Sequence, residues 1–228
     1  MKTNIKLRRQ TGFSLLELML VVLLLTIVVG AIFSQINRAQ VRYRVEGQKL
    51  DITQQEREFI DQFARDLHQA GFPATTLYGN QFNLNSQFTA VGVWSVSPTE
   101  VHMEGDVDGD GTADVIVYSY VAAGTNCPCL RRSQTPKVDG VAPSAQAPGA
   151  TFTEVENILP LAAQPIFAAY DINGNDLIAG GGTMTDPNGI KTVKSIRITL
   201  TTQGMGKDAD AHKDIQVTMT GMARLVNN

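Results

Sequence analysis

No proline precedes Pro73, so backbone chemistry permits one uninterrupted helix over that whole length. Cysteine is nearly missing: Cys127 and Cys129, two residues apart, are too few for a four-ligand zinc site. Histidine is as scarce, and His68, His102 and His212 have no Ser, Cys or acidic residue at a recognisable catalytic spacing. They read as a helix-surface residue and two loop or strand-edge residues of a protein that is not an enzyme. Basic clusters are absent after Arg9 and the net charge is −3, which argues against a nucleic-acid surface. No segment repeats at a fixed period.

Charge is also missing from one long stretch. The 21 residues from Phe13 to Phe33 contain a single ionisable side chain, Glu17. As a helix rising ~1.5 Å per residue they span about 31 Å, enough to cross a hydrocarbon core of about 30 Å. Lys2, Lys6, Arg8 and Arg9 precede them and hold that end in the cytoplasm, so everything after Phe33 is expected outside it. An unpaired carboxylate in lipid is costly and calls for a partner.

The residues around that carboxylate, Thr11-Gly12-Phe13-Ser14-Leu15-Leu16-Glu17-Leu18, resemble the processing signature of type IV prepilins and type II secretion pseudopilins. That signature is a short basic leader, a Gly, an aromatic, and Glu at the fifth mature position. The resemblance implies cleavage by a prepilin peptidase after Gly12 and methylation of the new amine on Phe13. It also gives Glu17 its partner, the terminal ammonium of a neighbouring subunit. Two plainer readings remain. A Sec signal peptide cut near Ala31 would have a shorter apolar core without an acid at its start, and a plain single-span anchor explains the length but not Glu17.

The helix is expected to continue past the membrane. Ile52, Glu56, Phe59, Ile60, Phe63, Leu67 and Ala70 recur at helical spacing and form an apolar stripe, while Glu58, Asp61, Arg65 and Asp66 mostly fall elsewhere on the wheel. The reading is one helix from about Ser14 to Ala70, stopped by Gly71 and Pro73. Gly30 and Gly47 are its weak points.

After Pro73 the period falls to two. Residues 87–97, 100–103, 114–122 and 165–171 are β-branched and aromatic runs bounded by turn residues. Ile196, Ile198 and Leu200, then Ile215, Val217 and Met219, alternate with polar residues, so each strand buries one face. Residues 203–213 link those two as a hairpin loop. Trp94 reads as core. Residues 151–159 read as a short helix or a strand end, and 133–150, with three prolines, as a solvated loop. The fold class is therefore α+β: a long N-terminal helix packed on an antiparallel β-sheet head. The expected divisions are a leader at 1–12, a membrane and assembly segment at 13–33, the amphipathic continuation at 34–71, and a β-rich periplasmic or extracellular head at 72–228.

Later segments also resemble one branch of this superfamily. DLHQAGFP at 66–73 is similar to the helix end of PilW and GspJ-like minor pilins. DVIVYSYV followed by CLRR, VENILPL with FAAYDINGNDL, SIRITLTT and the terminal GMARLVNN are similar to the rest in order. The resemblance implies a minor pilin that primes or caps a type IV pilus or a type II secretion pseudopilus. It would sit in the inner membrane with its head in the periplasm and then at the filament tip. Its implied partners are other minor and major pilins, the prepilin peptidase, the inner-membrane assembly platform and membrane lipid. The alternative is an adhesin or secreted-substrate receptor at the tip, using the loop 133–150.

Asp106 to Asp114 reads DVDGDGTAD, with carboxylates at loop positions 1, 3, 5 and 9 and Gly111 at position 6. Alternating hard oxygen ligands and a Gly that permits a sharp turn suit Ca²⁺, the expected ligands being Asp106, Asp108, Asp110 and Asp114 with the Thr112 carbonyl. A bare Asp-Gly turn is the competing reading. The same residues match the nucleophile motif of haloacid-dehalogenase-like phosphatases, which needs a buried apolar strand directly before it; His102-Met103-Glu104-Gly105 and the missing βα alternation reject that. Asp171 to Asp176 reads as an Asn-Gly turn rather than a second cation loop. Cys127 and Cys129 can close a small disulfide outside the cytoplasm, remain reduced, or do redox or metal work.

Overall fold

The computed structural model describes residues 12–125, 127–159, 164–207 and 213–227. The leader cations Lys2, Lys6, Arg8 and Arg9, and His212 of the last hairpin loop, lie outside the described residues.

One helix, α1 (Leu15–Gln69, 55 residues), runs unbroken through Gly30 and Gly47. At ~1.5 Å per residue it is about 82 Å long. It stops at Gly71, whose φ of 82° is a left-handed conformation that L side chains resist. The next carbonyls are taken up by the sheet: Gly71 N–H donates to the Glu104 carbonyl and Asp106 N–H to that of Phe72.

The head contains β1 (Gly92–Val96), β2 (Glu100–Gly105), β3 (Asp114–Val121), β4 (Cys129–Pro136), β5 (Thr151–Glu156), β6 (Phe167–Tyr170), β7 (Met184–Thr185), β8 (Ser195–Lys207) and β9 (Asp214–Arg224). They form not one sheet but two, ordered β5-β4-β3-β2-β1-β7 and β6-β8-β9, and every pairing is antiparallel. The helix stripe closes over both. Phe63 stacks edge-on against Tyr118 of β3 at 5.0 Å and tilts against Phe167 of β6 at 5.6 Å, so the two sheets and the helix share one core. On β9 the helix comes so close that a Cβ at Gly221 would collide with Ile60 Cγ2. Ile60 and Ile52 are only half-buried, at the edges of the stripe.

Four readings of the sequence are changed or resolved. The segment 133–150 is not wholly a free solvated loop: Ser133–Pro136 finish β4, and Lys137 after it is buried because its ammonium is taken up by Glu104 and by the Leu84 and Thr89 carbonyls. The Gln146 side chain then ties the remainder by bonding to the Val138 N–H and to the Val138 and Val141 carbonyls. Residues 151–156 are a strand. Asp66, read as lying off the apolar stripe, is nonetheless buried in the seam between α1 and β3. Trp94 is half-buried, its ring 4.9 Å from that of His102.

Candidate assembly helix and candidate cation loop

The first half of α1 touches nothing in the head. Phe13 is 80% exposed, and Leu15, Leu16 and the aliphatic residues as far as Phe33 are exposed with it; the first buried side chain on the helix is Val45. An apolar cylinder of this length that the chain itself leaves uncovered is a membrane or helix-packing surface by length and composition. Glu17 lies in the first turn, where the helix dipole favours an anion. Among the described residues it has no hydrogen-bond or ion-pair partner. Gly12 and Phe13 precede the helix outside regular structure, with Ser14 as its extended N-cap residue.

The loop between β2 and β3 gathers three of its acids. One carboxylate oxygen from each of Asp106, Asp108 and Asp110 falls within 4.8 Å of the others. Asp106 is buried and accepts from the Gly109 and Gly111 N–H groups at 2.7 and 3.0 Å, which sets the turn. Asp110 accepts from the Thr112 N–H at 2.8 Å and its hydroxyl at 2.6 Å, and these bonds hold its carboxyl below the usual range. Asp114 stands apart from the three. It opens β3, accepts from Gln134 Nε2 at 2.9 Å, and is pushed up to about 6 by burial and then by the charges of Asp108 and Asp110. The second acidic turn is closed on itself, with Asp171 accepting from the Asn173 and Asn175 N–H groups and the Asn175 amide. Cys127 and Cys129 are sulfur to sulfur in a disulfide, with Cα atoms 4.3 Å apart.

Periodicity gave no sign of two buried polar clusters that fix the head, although it did place a third buried acid, Glu56, on the apolar stripe. Asp66 Oδ2 accepts from Tyr118 Oη at 2.6 Å and from Arg132 Nε at 2.7 Å, joining α1, β3 and β4. Burial, then the Asp66 charge, raises the Tyr118 hydroxyl far above its ordinary range. Lys137 and Glu104, both with fully buried side chains, pair at 2.6 Å, and burial raises Glu104 against the charge of Lys137. Glu56 sits inside the apolar stripe itself. Burial pushes it up to about 7, the nearby Thr202 hydroxyl offsets a part, and no described group makes a well-formed hydrogen bond to either carboxylate oxygen.

Comparison with protein families matches residues 7–33 to the prokaryotic N-terminal methylation motif. Comparisons with curated proteins and with solved structures give no match. The motif implies processing by a prepilin peptidase and a pilin-assembly context, and its span covers the Gly12–Phe13 junction, Glu17 and the uncovered apolar half of α1. Residues 7–33 thus carry a type IV pilin-type signal, and one long N-terminal helix on antiparallel sheets is the α+β architecture consistent with a pilin-like precursor.

Proposed function

We propose that the chain is a minor pilin that primes or caps a type IV pilus or a type II secretion pseudopilus, after cleavage between Gly12 and Phe13. The observation that carries this is an apolar half-helix with no cover in its own head and one acid five residues into the mature chain. A membrane holds such a segment first, and a bundle of similar helices from neighbouring subunits holds it afterwards. The order of head segments resembling PilW and GspJ-like proteins supports a minor rather than a major subunit. With the leader cations in the cytoplasm, the head emerges in the periplasm. Intact-mass measurement of the protein extracted from membranes tests the processing step: the expected chain starts at Phe13 and carries one added methyl group. A chain starting near Ala31 would identify a secretory signal instead, and an uncut chain a plain anchor.

The acidic loop is proposed as one Ca²⁺ site built on Asp106, Asp108 and Asp110; the Thr112 carbonyl, and Asp114 once it leaves Gln134, would complete it. Three carboxylates this close repel unless a cation joins them, and their alternate spacing suits a hard, oxygen-seeking ion. Calorimetric titration of the detergent-solubilised full chain with Ca²⁺ is expected to give one binding event and a higher melting temperature, both lost in Asp110→Ala. Absence of heat together with an unchanged melting temperature leaves a bare turn.

The tip adhesin or substrate-receptor reading keeps a place beside the structural role because of one segment, residues 72–91, which is fixed far more firmly than a connection requires.

A further inference from the structure

Residues 72–91 connect α1 to β1 with one short 3-10 turn, Thr75–Tyr78. Irregular segments of this length are uncommon within a compact domain and usually carry function. This one is held on every side. The buried Lys137 ammonium donates to the Leu84 carbonyl at 2.6 Å and the Thr89 carbonyl at 2.9 Å while pairing with Glu104, and Glu104 accepts from the Val91 N–H. Thr89 Oγ1 donates to the Asn83 carbonyl, and Gly140 N–H to that of Asn85. Phe82 packs between Tyr78 and Phe88 at 5.2 and 5.1 Å. A buried ion pair is costly to desolvate and seldom adds stability over an apolar pair. Here it fixes the shape of a loop.

The fixed segment forms one wall of a cleft of about 640 Å³, and Asn188 and Lys191, on the turn before β8, line it from a separate part of the chain. That volume lies within the range of small-ligand sites. Its lining carries the amides of Asn80, Asn83, Asn85 and Asn188, the Lys191 ammonium and the Phe82 ring, and no carboxylate or histidine among the described residues. This set suits neither a metal ion nor acid–base chemistry. A primary amide donates and accepts at once, as does each hydroxyl of a sugar, and an aromatic ring covers the C–H face between them. One lysine accommodates one acidic group. We infer that this cleft binds carbohydrate, an oligosaccharide that is neutral or bears a single acidic sugar.

Gly71 also lines the cleft, so it lies by the end of α1 opposite Phe13. The biological use of the site rests on the tip-receptor reading; the binding itself does not. The test is an array of neutral and singly acidic oligosaccharides probed with the full chain in a non-glycosidic detergent, followed by calorimetry on the strongest ligand. Wild type is expected to retain a ligand. Asn85→Ala and Asn188→Ala are each expected to weaken it about tenfold, as loss of a paired hydrogen bond does, with unchanged melting temperature. Lys191→Met is expected to remove any preference for the acidic sugar. No retained oligosaccharide, or equal affinity in wild type and the Asn85→Ala/Asn188→Ala double variant, overturns the site. Cells whose Asn85→Ala/Asn188→Ala filaments adhere normally, while the purified variant no longer binds sugar, would remove the receptor role and leave the cleft standing.

Discussion

Glu17→Ala yields a chain that is inserted and processed yet missing from filaments. Insertion does not need the acid, and removing a charge from an apolar segment makes insertion easier by up to about 3 kcal/mol. The proposed cleavage falls at the Gly12–Phe13 junction, which the substitution leaves intact. Assembly is where the loss falls. The exposed residues from Leu15 to Phe33 are nearly all aliphatic, and such a surface packs on a similar helix at many axial offsets with little difference between them. One anion against a neighbour's cationic amine selects a single offset. At 4 Å and an effective dielectric near 20 the attraction is about 4 kcal/mol, roughly three decades of equilibrium preference. The measurements are intact mass of the membrane form, which should match wild-type processing, and the amount of protein in sheared filaments, which should fall to background. Crosslinking from position 17 in wild-type membranes should capture a neighbour's Phe13. Filaments assembled at wild-type level by Glu17→Ala would remove the registry role.

That helix was legible because its signals are local. The stripe through Phe59, Phe63 and Leu67, the stop at Gly71, and the acid beside an aromatic at a Gly junction can each be read within a few turns. The alternation in β8 and β9 is equally local, and both strands cover the residues where the period of two puts them, but β8 runs on to Lys207 through residues 203–207 that read as hairpin loop, because Gln203 and Lys207 still pair with Gln216 and Asp214 across the ladder. The division into two sheets was not legible, since it depends on Phe63 meeting Tyr118 and Phe167 at once. Nor was the second half of β4, where Arg132 looks like a surface residue until its partner Asp66, 66 positions earlier, is brought to 2.7 Å. Asp66 misled for the same reason: a charge off the apolar stripe reads as solvated unless a distant cation and a tyrosine hydroxyl arrive together. In the acidic loop, spacing predicted the grouping of Asp106, Asp108 and Asp110, but the hold of Gln134 on Asp114 belongs to the β3–β4 pairing, which spacing does not show.

Lys137→Met is expected to destabilise the head by about 3–5 kcal/mol at pH 8, because it strips the partner from a carboxylate with no access to water. At about 2–4 °C per kcal/mol for a chain of this size, the melting temperature should drop by roughly 10 °C. The deficit should shrink at pH 5. Without the ammonium, burial is opposed only by the Val91 N–H and raises the folded pKa of Glu104 further above the unfolded value, so the folded variant holds a proton that the unfolded chain releases. The stabilisation this gives is present below the unfolded pKa and is lost as pH rises through the raised folded value. A deficit equal at pH 5 and pH 8 would mean that lost packing, not an orphaned charge, causes the damage. Glu104→Gln in the same chain separates these further: it should recover much of the loss at pH 8 and little at pH 5, where Glu104 is already neutral. Hydrogen exchange locates the effect. Lys137 also caps the Leu84 and Thr89 carbonyls, so protection should fall first across residues 84–91 while the β8–β9 ladder keeps its own, since none of its bonds involve this ion pair. Loss spread evenly over both sheets would instead make the pair a general clamp on the head rather than the fastening of one loop.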